Sequence, residues 1–130
     1  MKFDEFIADS GGKITPEEKF IGTLMTSSAY FHSAHFETKN FSRHKAYNEY
    51  FDQITGLTDK FGEIYLGLTL KPYKPALLSQ DKLPKNTVEM LDRIIGESNS
   101  IYGKQIPALQ SVLDDITGLC YQIKYLLSLD

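Results

Sequence analysis

Apolar residues return on a helical period through most of this chain, and the interruptions divide it into four segments. Thr15-Pro16-Glu17-Glu18 reads as a helix start. Thr15 supplies a cap, Pro16 suits the first helical position and Glu18 completes a capping box. Phe20, Leu24, Phe31 and His35 then share one face, which predicts a first helix over residues 16–37. Residues 40–42 make a tight connection with cap residues. A long second helix follows over 42–68, with Tyr47, Ile54, Leu57, Phe61 and Tyr65 inward. Within it, Gly56 and Gly62 either lower helix propensity or let another backbone approach closely. Pro72, Pro75 and Pro84 turn residues 69–84 into a crossover. Asn86-Thr87-Val88-Glu89 is a second capping box and opens a third helix over 86–102. Val88, Leu91, Ile95 and Tyr102 face inward, and Gly103 stops the helix. The fourth helix, 105–128, keeps its period from Leu109 through Leu113, Ile116, Cys120 and Ile123 to Leu127.

Short, long and short connections between four helices define an all-α fold. They point to a ferritin-like four-helix bundle with one long crossover between helices 2 and 3. That crossover should run the length of the bundle and join two parallel helices. Residues 1–14, with Ser10-Gly11-Gly12, read as a flexible leader whose Phe3, Phe6 and Ile7 could dock. Residues 15–130 read as the helical domain.

Composition narrows the function more than the fold. The 130 residues suffice for a single core, and 42% hydrophobic with 24% charged residues is ordinary for a globular chain. A net charge of −3 and the lack of a basic tail argue against nucleic acid as a partner. No run approaches a membrane span, and the N-terminus lacks the apolar stretch of a signal peptide. A single cysteine, Cys120, excludes an internal disulfide and a cysteine-rich zinc site, and it falls on the apolar stripe. A cytoplasmic location follows. Nucleophile motifs and phosphate-binding glycine loops are absent, and Lys71, Lys74, Lys82 and Lys85 are too dispersed for a nucleic-acid site.

Candidate chemistry concentrates around residues 35–63. His44, Asn48, Asp59 and Glu63 fall within roughly a 100° arc of the second helix, beside its apolar face. Histidine with carboxylates on one face is how helical bundles build metal sites. Yet His44 and Asp59 are fifteen residues apart, roughly 22 Å along the axis, so one chain cannot bring both to one ion. An antiparallel copy of the helix, crossing near residues 53–54, faces His44 and Asn48 of one subunit with Asp59 and Glu63 of the other. Two equivalent sites would result. His35, ending the first helix, could join from beside His44. Phe51, Asp52, Thr55 and Leu66 lie on the same stripe, which is too polar for a monomer's core.

The runs His35-Phe36-Glu37, His44-Lys45-Ala46-Tyr47-Asn48 and Asp59-Lys60-Phe61-Gly62-Glu63 resemble the signature of the Dps-like miniferritins. That signature is His-Trp-Asn, a short break, His-x-x-x-Asp, then Asp-x-x-x-Glu eleven residues on. Within the ferritin-like superfamily the chain is similar to small phage-encoded proteins with His-aromatic-x-Thr-Lys and Arg-His-Lys-Ala runs. The likeness covers residues 20–68 closely and the remainder only as helix order. It implies an iron site between two-fold-related subunits, with His35, His44, Asp59 and Glu63 as ligands and ferrous oxidation as the reaction. The departures are specific. The aspartate after the second histidine is Asn48, a poor ligand for a hard, oxidised metal. The loop between the histidines is three residues shorter, and Phe36 replaces tryptophan. Asp52, one turn beyond Asn48, could restore the lost charge.

Each feature also has a plain reading. Helix-terminal histidines often serve as caps or surface groups, and Asp59 with Glu63 could be a solvated face. A zinc pair of His32 and His35 at i,i+3 rests on spacing alone. Two hypotheses follow. One is a homodimer or larger homo-oligomer binding iron or another divalent metal, with residual ferroxidase activity. The other is a phage-encoded degenerate bundle without metal or catalysis, working in the host cytoplasm or the virion as a structural or host-protein interaction module.

Overall fold

In a computed structural model that describes residues 12–129, four helices appear in the expected order. They are α1 (Pro16–Glu37), α2 (Phe41–Thr69), α3 (Thr87–Tyr102) and α4 (Pro107–Ser128), with one 3-10 turn at Gln80–Lys82. No strand occurs among the described residues. Most of the expected leader lies outside them.

The helix starts follow from side-chain chemistry. Thr15 and Glu18 form both arms of the capping box, at 3.0 and 2.9 Å. Asn40 caps α2 by accepting from the Arg43 N–H at 2.9 Å. Asn86 caps α3 through the Glu89 N–H, also at 2.9 Å. These bonds satisfy amides that have no intrahelical partner.

End contacts give the topology. Thr15 meets the Tyr65 hydroxyl at 3.0 Å, so the start of α1 lies beside the end of α2. Gln105 donates to Glu17 at 2.8 Å, which puts the α3–α4 turn at the same end. Tyr47 meets Thr87 at 3.2 Å, so α2 and α3 both start at the opposite end. Consequently α2 and α3 run in the same direction, on opposite corners of the bundle. Each helix packs on two neighbours, α1 on α2 and α3, α4 on α2 and α3.

The crossover follows α1 from one end to the other. The Lys74 N–H donates to Glu18 at 2.7 Å, the Leu78 N–H to Thr26 at 3.2 Å, and the Tyr30 hydroxyl to the Pro84 carbonyl at 3.0 Å. It comes closest at Gly22, where an added Cβ would strike the Ala76 carbonyl. Gly56 and Gly62, the glycines the sequence singled out, have no such neighbour. Close approach is therefore made by the crossover on α1, not by a helix on α2.

A core of aromatic and aliphatic side chains fills the interior. Phe20 meets Phe61 edge-on at 5.2 Å between centroids, and Phe31 packs on Tyr50 at 4.2 Å. Tyr50 is fully buried and shares its hydroxyl with Ser27 at 2.6 Å. Cys120 is buried among these residues, and burial pushes its thiol up to about 12. The expected inward position of Val88 is wrong, since the residue is 41% exposed. It sits in the first turn of α3, at the edge of the face that Met90, Ile94, Ser98 and Ile101 bury.

Candidate functional site

The outer side of the α1–α2 seam carries the candidate residues. The break at residues 38–40 folds the chain back so that the end of α1 meets the start of α2. His35 and His44 stack there, with ring centroids 4.0 Å apart and planes 25° apart. The His44 Nδ1 lies 2.8 Å from the His35 carbonyl oxygen. Donation of the Nδ1 proton to that carbonyl fixes the tautomer and leaves Nε2 with the lone pair. This is the orientation a metal-binding imidazole adopts. His35 is less comfortable. Its Nδ1 is buried without a hydrogen-bond partner, a cost of about 1–3 kcal/mol for a polar atom of this kind.

His32, the other half of the i,i+3 histidine pair, stacks on a different neighbour. Its ring lies on Phe51 at 4.2 Å, nearly parallel, and 5.7 Å from the His35 ring. Phe51 is the platform for that stack, a role that its place on the stripe did not reveal.

Asn48 and Asp52 are exposed, and the Asn48 amide donates to the Asp52 carboxylate at 3.2 Å. This holds a charge beside the neutral residue. Asp52 is still eight residues from His44, about 12 Å along the axis. It cannot replace a ligand at His44 within the chain.

Asp59 and Glu63 are exposed further along the same helix. They border a depression of about 210 Å³ whose floor is apolar, made by Ile21, Met25, Leu66 and Tyr73. So the structure brings His35 and His44 together, and Asp59 and Glu63 together, but leaves the two pairs apart. Among the described residues no group of three or more His, Cys, Asp or Glu side chains could hold a metal ion. The donor set fits an ion only if a second chain supplies the carboxylates. On the other side of α1, a cleft of about 710 Å³ is bordered by Tyr30, Glu37, Arg43, Lys85 and Thr87, and by none of the six candidates.

An all-helical bundle with a latched crossover and an open polar seam is thus the class of protein in hand. The chain belongs to a family of unknown function, DUF5856, whose model matches residues 35–127. It is 52% identical, over 130 residues and the whole of both chains, to a protein of Enterobacteria phage T4. That relative is described as "Uncharacterized 14.6 kDa protein in mobD-ri intergenic region". The family match begins at His35 and spans all six candidate residues. No solved structure matches. Among the described residues no helix is long and apolar enough to cross a membrane.

Proposed function

We propose that this is a phage-encoded ferritin-like protein that pairs through the open face of α2 and holds a divalent metal at two equivalent interface sites. His35 and His44 of one protomer would supply neutral nitrogens, and Asp59 and Glu63 of the other would supply anionic oxygens. The observation that carries this reading is the His44 Nδ1 contact with the His35 carbonyl, which prepares one ring for metal beside a second. Ferrous iron is the ion the miniferritin resemblance favours. Bound there, it would be a substrate for slow oxidation by oxygen, because Asn48 adds no charge to hold the ferric product. The phage relative supports a place in the host cytoplasm.

A second reading keeps the dimer and drops the metal. Two observations favour it: the neutral Asn48 bonded to Asp52, and the buried, unpartnered His35 nitrogen. The bundle would then be an interaction module for a host or virion protein.

Metal content and ferrous oxidation of the purified protein, beside an Asp59→Ala, Glu63→Ala double variant, separate the two. Bound metal lost in the variant supports the first reading. Metal-free protein of unchanged dimeric mass leaves the second. In either case duplex DNA should not bind at about 150 mM salt, since the chain carries a net charge of −3 and its lysines are dispersed along the sequence.

A further inference from the structure

The depression beside Asp59 and Glu63 lies close to where the described chain begins. Thr15 meets the hydroxyl of Tyr65, the residue before Leu66 on the floor. The Lys13 carbonyl accepts from the Lys74 ammonium at 3.4 Å, beside Tyr73 on the same floor. From Thr15 the other two floor residues, Ile21 and Met25, lie about 9 and 15 Å along α1.

Leu70 helps to build this depression. It caps α2 at φ 52° and ψ 31°, in the left-handed region, and is the one non-glycine residue with positive φ among the described residues. A side chain with a Cβ is disfavoured there. The sharp turn that it makes sends the crossover back toward α1, where the Tyr73 hydroxyl reaches the Met25 sulfur at 3.9 Å. Yet the apolar surface made in this way is left open, with Met25 45% exposed.

Residues 1–11, outside the described ones, carry apolar side chains suited to that surface. Phe3, Phe6 and Ile7 recur at i, i+3 and i+4, the spacing of one helix face, with Asp4 and Glu5 off it. Eight residues link Ile7 to Thr15, a reach of up to about 27 Å, which covers the distance to Met25 with slack for a reversal. Ser10-Gly11-Gly12 has the turn chemistry that a reversal needs.

We propose that the depression is the docking site of this chain's own N-terminal segment. The face of Phe3, Phe6 and Ile7 lies against Ile21, Met25, Leu66 and Tyr73. The contact is apolar and not ionic, because Asp59 and Glu63 on the rim meet a segment that carries Asp4 and Glu5, so salt should not release it. Docking needs neither metal nor a second chain. The docked segment stands over Asp59 and Glu63, where it competes with the partner in the proposed dimer and acts as a brake on association.

Oxidation of Met25 by dilute peroxide tests the docking, with the fully buried Met90 as reference. In the whole chain at low micromolar concentration, Phe3→Ser with Phe6→Ser and Ile7→Ser should speed Met25 oxidation about fivefold and leave Met90 protected. Equal rates overturn the docking. So does protection of Met25 that grows with protein concentration, which makes a second copy the occupant. A cysteine pair tests the geometry independently. Phe6→Cys with Met25→Cys should close an intrachain disulfide about tenfold faster than Phe6→Cys with Leu68→Cys, an exposed position at the same end of α2 but off the depression. Equal rates, or a disulfide between chains, again overturn it. Sedimentation of the triple serine variant separates the docking from the proposed dimer. Dimerisation about tenfold tighter than wild type supports both. An unchanged dimer overturns the brake. A variant as monomeric as wild type, with Met25 protected only in wild type, retires the dimer and leaves the docking standing.

Discussion

The two seams of α1 are finished in opposite ways. On the side toward α3 the chain covers itself: the crossover lies along the helix and is held at Glu18, Gly22, Thr26 and Tyr30. On the side toward α2 the interior is sealed by Phe31, Tyr47 and Tyr50, but the outer surface is left to exposed aromatic and ionisable groups. A chain that spends a whole connection on one seam and leaves imidazoles, carboxylates and phenylalanines on the other has separated two tasks. The first seam maintains the fold, and under the proposed reading the second serves association. Substitutions should divide accordingly, with stability lost at the covered seam and association lost at the open one.

The largest effects belong to the covered seam. Glu18 is 4% exposed, and its two carboxylate oxygens accept from the Thr15 and Lys74 amides. Glu18→Ala strips both amides of a charged acceptor and should cost about 2–4 kcal/mol in denaturant unfolding. Gly22→Ala drives a methyl into the Ala76 carbonyl and should cost about 1–3 kcal/mol, unless the crossover lifts away. Asp59→Ala and Glu63→Ala should each stay within about 0.5 kcal/mol of wild type under the same conditions. Comparable losses at both seams would erase the contrast.

Much of this division was legible in the sequence, and the illegible part has a physical pattern. Helix limits followed from caps and period, as Thr15 with Glu18 and the stripe from Leu109 to Ile123 show. The meeting of His35 and His44 followed from the short break between two helices. Val88 was misplaced because the buried face of its helix centres on Met90, Ile94, Ser98 and Ile101, which leaves it at the edge. Gly22 and Leu70 were missed because their roles come from partners far along the chain, or from a backbone angle that no side-chain pattern encodes. Proline at 72 and the lack of glycine after Thr69 were the available hints for Leu70. Whether the two half-sites meet could not be read from one chain at all.

Alkaline titration gives a smaller, sharper probe of the sealed interior between α1 and α2. Burial raises the Tyr50 hydroxyl well above its ordinary value, nearby Cys120 adds to the shift, and the Ser27 hydrogen bond opposes it in part. Burial likewise holds the Cys120 thiol at about 12. A folded state that keeps a proton more tightly than the unfolded chain is favoured below the unfolded pKa and loses that advantage as pH rises. Stability should therefore be flat through neutrality and fall from about pH 9 upward, as the unfolded thiol and then the unfolded tyrosine ionise. Tyr50→Phe should cost about 1 kcal/mol at pH 7 and flatten the alkaline limb. Cys120 should resist thiol reagents at pH 8 until the protein unfolds. Rapid labelling of the native protein would show that this interior is open too.

The smallest effect on the fold should come from Asn48→Asp, and that is its value. The residue is exposed, and its one described contact is the hydrogen bond to Asp52. Replacing the amide by a carboxylate loses that bond and sets two like charges one helical turn apart, which costs about 0.2–0.5 kcal/mol. The monomer should hardly notice. At the proposed interface the same change adds an anionic oxygen one turn from His44, on the side facing the partner's Asp59. Without metal the extra charge repels that carboxylate, so the dimer should weaken. With ferrous or another divalent ion present the repulsion becomes attraction to the ion, and binding should tighten by roughly an order of magnitude. Sedimentation with and without metal reads both signs in one experiment. A variant indifferent to metal, with fold and dimer intact, would leave the open seam as a protein-binding surface and retire the metal site.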